Sequence, residues 1–171
     1  ALRAYKLFGE STVDLLYDDP YLLMEEGLEA PFGAVDRFAI ELGVAGDDPR
    51  RVEAGILFQL QYNLTVGHSF LPEKKLVDST SQLLSLEPET IAQGLERLLE
   101  AGRVVRDVLA EITVDYLPEL HEAEVYTAMR LRELAKRAFP EPEDLEERIE
   151  QVSQESGIVY SAEQTQAIRE A

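Results

Sequence analysis

The sequence predicts a mainly α-helical chain that carries one small β-hairpin, and three observations carry that prediction. Apolar residues recur at helical spacing through most of the 171 positions, as in Val52, Ile56, Leu60 and Leu64. Helix starts and stops are written in Asp-Pro, Glu-Pro and Gly punctuation, as at Asp48-Pro49, Glu87-Pro88 and Gly102. Only one stretch, Val104 to Tyr116, exchanges that period for β-branched residues and alternation.

Four short helices are expected in the first 48 residues. Leu2 to Phe8 ends at Gly9, Ser11 caps a helix with Asp14 in its first turn, and Asp19-Pro20 opens a short one over Tyr21 to Met24 that Gly27 stops. After a bend at Glu29 to Phe32, the residues Val35, Phe38, Ala39 and Leu42 form one apolar helix face closed by Gly43. Asp48-Pro49 then starts a longer helix that ends at Gly67. Leu71-Pro72 leads to a helix carrying Leu76, Leu83 and Leu84, and Glu87-Pro88 to another with Ile91, Leu95, Leu98 and Leu99 inward. The hairpin follows, turning at Ala110-Glu111. Three helices followed by a hairpin is the order of a winged helix.

Helix is expected again from Pro118 to Phe139. Phe139-Pro140-Glu141-Pro142 reads as a linker, because each proline restrains its predecessor and donates no hydrogen bond. A helix with Leu145, Ile149 and Val152, an extended Ile158 to Tyr160 and a last helix from Ser161 complete the chain. These divisions give units at 1–48, 49–118, 119–156 and 157–171.

Composition limits the function. The formal net charge is −18, and residues 1–48, 49–120 and 121–171 carry 3 basic against 11 acidic, 7 against 11 and 6 against 12 groups. No basic island is hidden in the average, which opposes free-standing nucleic-acid binding through phosphates. Cysteine is absent, so disulfides, thiolate metal sites and thiol nucleophiles are excluded. No apolar run reaches the ~18–20 residues of a membrane span, and a soluble, cytoplasmic chain is expected. The opening ALRAYKLFG has no initiator methionine and reads as a piece of a longer protein. No G-x-x-x-x-G-K-[ST] loop and no G-x-S-x-G elbow is present. His68 and His121 stand apart, so no catalytic residue, no metal ligand and no cofactor of the chain's own is assigned.

Four stretches together resemble one family. Asp19-Pro20-Tyr21-Leu22, followed by Phe32-Gly33-Ala34-Val35-Asp36-Arg37-Phe38-Ala39 and Leu42-Gly43, resembles the helix-hairpin-helix region of RecD/TraA-type DNA helicases. There an N-P-Y-x-L stretch precedes G-I-G-F-x-T-A-D-R-I-A. Asp47-Asp48-Pro49-Arg50-Arg51, Ala54-Gly55 and Gly67-His68-Ser69-Phe70-Leu71-Pro72 are similar to the family's next helix and its G-H-x-x-L-P turn. Tyr116-Leu117-Pro118 with Leu120, Glu122 and Ala123 resembles the exit toward the motor. Ser161-Ala162-Glu163-Gln164 with Ala167 is similar to the S-x-E-Q-x-x-A that opens the first motor domain.

The resemblance implies an accessory amino-terminal region of a helicase whose intact form moves 5′ to 3′ on DNA with ATP and magnesium. It makes 157–171 the start of a RecA-like motor domain and gives Gln164 the adenine of ATP. Ser161 and Gln164 also fit an S-x-x-Q capping box. One departure stands out: Glu29-Ala30-Pro31 replaces G-I-G, so an acid and a proline without an amide hydrogen stand where glycines let a phosphate approach. On the winged-helix unit, the helix from Glu87 to Ala101 exposes more acids than bases. The candidate DNA-contacting cations are Lys74 and Lys75 on the preceding helix, with Arg103 and Arg106 on the first hairpin strand. Implied partners are DNA through the intact protein and the chain's own motor domains. The alternative is a protein-interaction module without DNA contact.

Overall fold

The computed structural model describes residues 2–25, 27–137 and 144–170. It divides into two compact units, 1–127 and 128–171. The linker read at Phe139-Pro140-Glu141-Pro142 lies outside the described residues.

The first unit begins with α1 (Leu2–Phe8) and α2 (Thr12–Asp18), joined by a 3-10 turn over Gly9–Ser11. Ser11 does not cap α2: its backbone is already helical and its side chain makes no capping bond. Asp19 does cap, accepting from the Tyr21 amide at 3.0 Å, and Pro20–Met24 is a 3-10 helix. The third α-helix, α3 (Phe32–Glu41), buries Phe32, Val35 and Ala39. Phe38, expected inside, is 39% exposed. The inward stripe starts at Phe32, one turn earlier, because the helix itself begins there rather than after a bend that includes it.

Asp48 caps α4 (Pro49–Thr65) through the Arg50 amide at 2.9 Å, which is the Asp-Pro start the sequence predicts. Val52, Ile56 and Leu60 are buried, whereas Leu64, at the helix end, is 44% exposed. Beyond it, Phe70–Pro72 forms a strand, β1, where a turn was expected. A proline is tolerated there because β1 is an edge strand. Helices α5 (Glu73–Leu84) and α6 (Pro88–Glu100) follow, then β2 (Val105–Leu109) and β3 (Ile112–Tyr116). Ala110 and Glu111 both have positive φ, 48° and 68°, as a two-residue hairpin turn demands. The antiparallel sheet has the order β1-β3-β2, with Leu71 opposite Asp115 and Arg106 opposite Asp115.

One hydrophobic core runs through this unit. It joins Tyr21, Phe32, Val35 and Ala39 from the first 48 residues to Val52, Ile56, Leu95 and Leu117 beyond them. The approach of α6 to α4 is close enough that a Cβ on Gly94 would lie 2.5 Å from Val52 Cγ1. A β-branched neighbour with a stiff χ1 cannot yield there, so glycine is the residue that fits.

α7 (Pro118–Ala135) leaves β3 directly. At its start Tyr116 donates to Glu124 at 3.2 Å, Ser69 donates to the same carboxylate, and His121 Nε2 lies 3.2 Å from Asp107. Burial and the nearby Glu124 push the Tyr116 hydroxyl up to about 12. The helix ends at Ala135, short of the expected Phe139.

The second unit holds the rest of α7, α8 (Leu145–Ser156) and α9 (Ala162–Glu170). Gly157, at φ 66°, closes α8 in the left-handed conformation. Arg169 grips Glu146 through two bonds of 2.6 and 3.0 Å. None of the described residues of α7, α8 or α9 is fully buried. No helix among the described residues is long and apolar enough to cross a membrane.

Candidate nucleic-acid interface

The bend before α3 is where a helix-hairpin-helix would hold a phosphate, and here its amides are spent inside the protein. Leu28 and Glu29 donate to the Glu25 carbonyl at 3.1 and 3.2 Å, and Ala30 donates to Leu23 at 2.9 Å. Pro31 has none to give. In the first turn of α3, Ala34 and Val35 both bond back to the Pro31 carbonyl.

Glu29 has φ 48°, the left-handed region, at the position where the family pattern carries its first glycine. An L-residue with a long side chain holds that conformation at a cost of roughly 1 kcal/mol. Glu29→Gly is expected to raise stability by about 1 kcal/mol, less the added chain entropy of glycine, as a higher urea midpoint. A loss of stability in that variant would show that the Glu29 side chain holds the bend.

The structure brings together residues from three separated motifs that sequence spacing could not join. Tyr21 donates its hydroxyl to Asp36 Oδ1 at 2.8 Å. Arg51 holds the same carboxylate with two bonds, Nε to Oδ1 at 2.8 Å and Nη2 to Oδ2 at 3.0 Å. Its Nη1 donates to the carbonyls of Gly46, at 2.6 Å, and Leu84, at 3.3 Å. One guanidinium therefore ties α3, the loop before α4 and the end of α5. The Arg51 side chain is 11% exposed and Asp36 18%. Burial first, and then the hydrogen bond to Asp36, raises the Tyr21 pKa. A planar fork suits this position because it can satisfy a carboxylate and two carbonyls at once. Tyr21 belongs to D-P-Y-L, Asp36 to A-V-D-R and Arg51 to D-P-R-R, so these recognisable residues build a clamp.

The candidate cations differ in what they face. Arg106 on β2 is surrounded by carboxylates: Asp115 at 2.9 Å, Glu96 at 2.8 Å and Glu73 at 3.3 Å. The last contact is an ion contact only, since Nη2 is not aligned for a hydrogen bond. Asp115 is wholly buried. Its burial raises the carboxyl pKa, against which the Arg106 hydrogen bond and charge act.

Arg103 lies in the loop before β2 rather than on the strand, and it reaches Glu25 at 2.7 Å. Lys74 pairs with Asp78 one turn along α5 at 2.6 Å, with its own side chain 87% exposed. Lys75 is exposed on the same helix. The outer face of α6 presents Glu89, Gln93, Glu96 and Glu100, and its one base, Arg97, is held by Glu53 on α4 at 2.8 Å. That face repels a phosphate backbone.

Gln164 sits in the first turn of α9 within the expected capping box. Ser161 donates its amide to Gln164 Oε1 at 2.9 Å, and the Gln164 amide donates to Ser161 Oγ at 3.3 Å. The capping oxygen is thereby used locally. No carboxylate or histidine cluster that could hold a metal occurs among the described residues.

Comparison with known proteins agrees with this local architecture. Residues 1–70 match the family model described as the ATP-dependent RecD2 DNA helicase HHH domain, a match that takes in the Tyr21–Asp36–Arg51 clamp and all of α4. The chain is also 33% identical over 145 residues to the ATP-dependent RecD2 DNA helicase of Deinococcus radiodurans, an alignment covering 78% of the chain. It spans 20% of that relative's length. Together the two matches identify the chain as an amino-terminal region of the RecD-type helicase family.

Proposed function

We propose that this chain is an accessory, scaffolding region of a DNA helicase and that its DNA contact is confined to the outer face of α5. The observation that carries this reading is the clamp: Tyr21, Asp36 and Arg51, three residues that mark the family, are committed to holding helices together. The order α4, β1, α5, α6, β2, β3 with the sheet order β1-β3-β2 supports a winged helix over 49–118, following the hairpin unit at 1–48. Residues 119–156 then serve as a connector and 157–171 as the first part of a motor domain. In this reading the intact protein supplies 5′ to 3′ movement on DNA, driven by ATP and magnesium, and Gln164 faces the adenine once the phosphate loop is present.

Of the four candidate cations, Arg103 and Arg106 are engaged with acids of other elements. Lys74 and Lys75 remain for phosphates, because the Lys74 partner is an exposed neighbour that a phosphate can replace.

Fluorescence anisotropy with forked and single-stranded DNA tests this. Weak binding is expected at ~50 mM salt, with a logarithmic salt slope of about −1.8 on duplex arms for two neutralised phosphates. Lys74→Glu with Lys75→Glu is expected to abolish it. Absence of binding at ~50 mM, or binding that the double variant leaves unchanged, removes DNA contact from the reading.

A further inference from the structure

A second surface of the first unit matches a different kind of partner. Between the Pro20–Met24 turn, α4 and the start of α7 lies a cleft of about 510 Å³. Beside it, a second hollow of about 380 Å³ lies between the bend, Phe32 and the far end of α4. The two share Met24, Glu29 and Gln61 as lining residues, so they adjoin, and together they are taken as one groove.

The first cleft counts Ala54, Leu57 and Leu117 among a mostly polar lining, and the second is mainly apolar, with a run of aromatic rings. Phe32 stacks on Phe58 with centroids 5.0 Å apart, and Phe58 meets Tyr62 at 6.0 Å. Tyr62 is 55% exposed, an aromatic edge left open to solvent. The rim of the first cleft carries Asp19, Glu25, Glu29, Glu53 and Glu119 against Arg50 and Arg103. Both arginines are already bound to carboxylates, Asp48 and Glu25, so the rim is net negative.

Aromatic rings alone would also suit stacked bases. The rim decides against that: Glu25 and Glu53 are paired with Arg103 and Arg97, but Asp19, Glu29 and Glu119 add an excess of negative charge that repels the phosphates that must accompany bases. An aromatic, mainly apolar hollow beside a cleft with an excess of acid is complementary to an apolar or aromatic side chain flanked by lysine or arginine. We infer that this groove docks a short basic, apolar segment of a partner polypeptide, separately from any DNA contact on α5.

The chain contains no tryptophan, so a tryptophan in a probe peptide reports binding by itself. The probe is a short peptide alternating lysine and leucine around one central tryptophan, with two controls: glutamate for every lysine, and glycine for every leucine. The lysine–leucine peptide is expected to bind with a blue shift in emission, and each control to bind at least about tenfold more weakly. Tyr62→Ser, at an exposed position that the fold does not need, is expected to weaken binding by a similar factor. Glu29→Lys with Glu119→Lys tests the rim and is expected to do the same.

Equal binding of the glutamate peptide overturns the proposal. So does binding that neither set of substitutions alters, which would reflect only the net charge of the chain. Displacement of the peptide by a single-stranded oligonucleotide in a manner that Tyr62→Ser abolishes would make the groove a nucleic-acid site instead. Self-association in sedimentation velocity that Tyr62→Ser abolishes would assign it to a second copy of the chain.

Discussion

Arg51→Met is expected to destabilise the first unit by about 3–5 kcal/mol, seen as a large drop in the urea midpoint at unchanged m-value. Methionine fills a comparable volume but leaves Asp36 with only the Tyr21 hydroxyl, and it strips donors from the Gly46 and Leu84 carbonyls. The cost comes from the buried charge left without its counter-ion more than from the lost attraction. Arg51→Lys separates these contributions. A lysine restores the charge without the planar fork, so part of the loss should return while the carbonyl contacts do not. Tyr21→Phe, which removes a single neutral donor, should cost only about 1 kcal/mol. A change below about 1 kcal/mol in Arg51→Met would show that the clamp is not what holds α3 and α5 to α4.

Arg106→Met carries the second large effect, about 3 kcal/mol at neutral pH, and it bears directly on whether this arginine serves DNA. Asp115 is wholly buried and has Arg106 as its ion-pair partner. Without that cation its carboxylate has to exist uncharged or unpaired.

The pH dependence follows from the sign of the shift. Burial raises the Asp115 pKa, and loss of Arg106 removes the groups that oppose the rise, so the folded variant takes up a proton more readily than the unfolded chain. Its stability is therefore best preserved at low pH and is lost as pH rises through the folded pKa of Asp115. The gap between variant and parent should narrow as pH falls through the carboxylate range. Arg106→Met with Asp115→Leu should recover much of the loss, because both charges are then absent. If Arg106→Met folded as stably as the parent and lost only DNA binding, Arg106 would belong to the DNA-contacting set.

Much of the fold is legible in the sequence because its signals are local. Asp19-Pro20 and Asp48-Pro49 start helices through an oxygen two residues from the amide it accepts, and Gly157 ends one by its own conformation. The capping box at Ser161 and Gln164 is local in the same way. Where the competition was between two nearby arrangements, the sequence pointed the wrong way. Ser11 lost its capping role to a preceding 3-10 turn in which Thr12 bonds back to Gly9, and Phe38 lost its core place to Phe32. β1 was hidden because three residues show no period, and a strand that short exists only when β3 offers it an edge.

The interface divides along the same line. Periodicity and composition predict an acidic α6 face, and the exposed Glu89, Glu96 and Glu100 agree; the bend without its phosphate glycines is read from the family resemblance. Spacing could not show that Arg106 is enclosed by Glu73, Glu96 and Asp115, since those acids come from α5, α6 and β3. Nor could it show that Asp36 and Arg51, read as parts of two different motifs, share one pair of carboxylate oxygens. By itself the sequence determined the helical class, the element order, the excess of acid and the family resemblance, because each depends on residues a few positions apart. The tertiary structure alone decided which cations are neutralised and which motif residues form the clamp. A charge separated by many residues from its partner acquires one only when packing brings the two within a few ångströms and out of water.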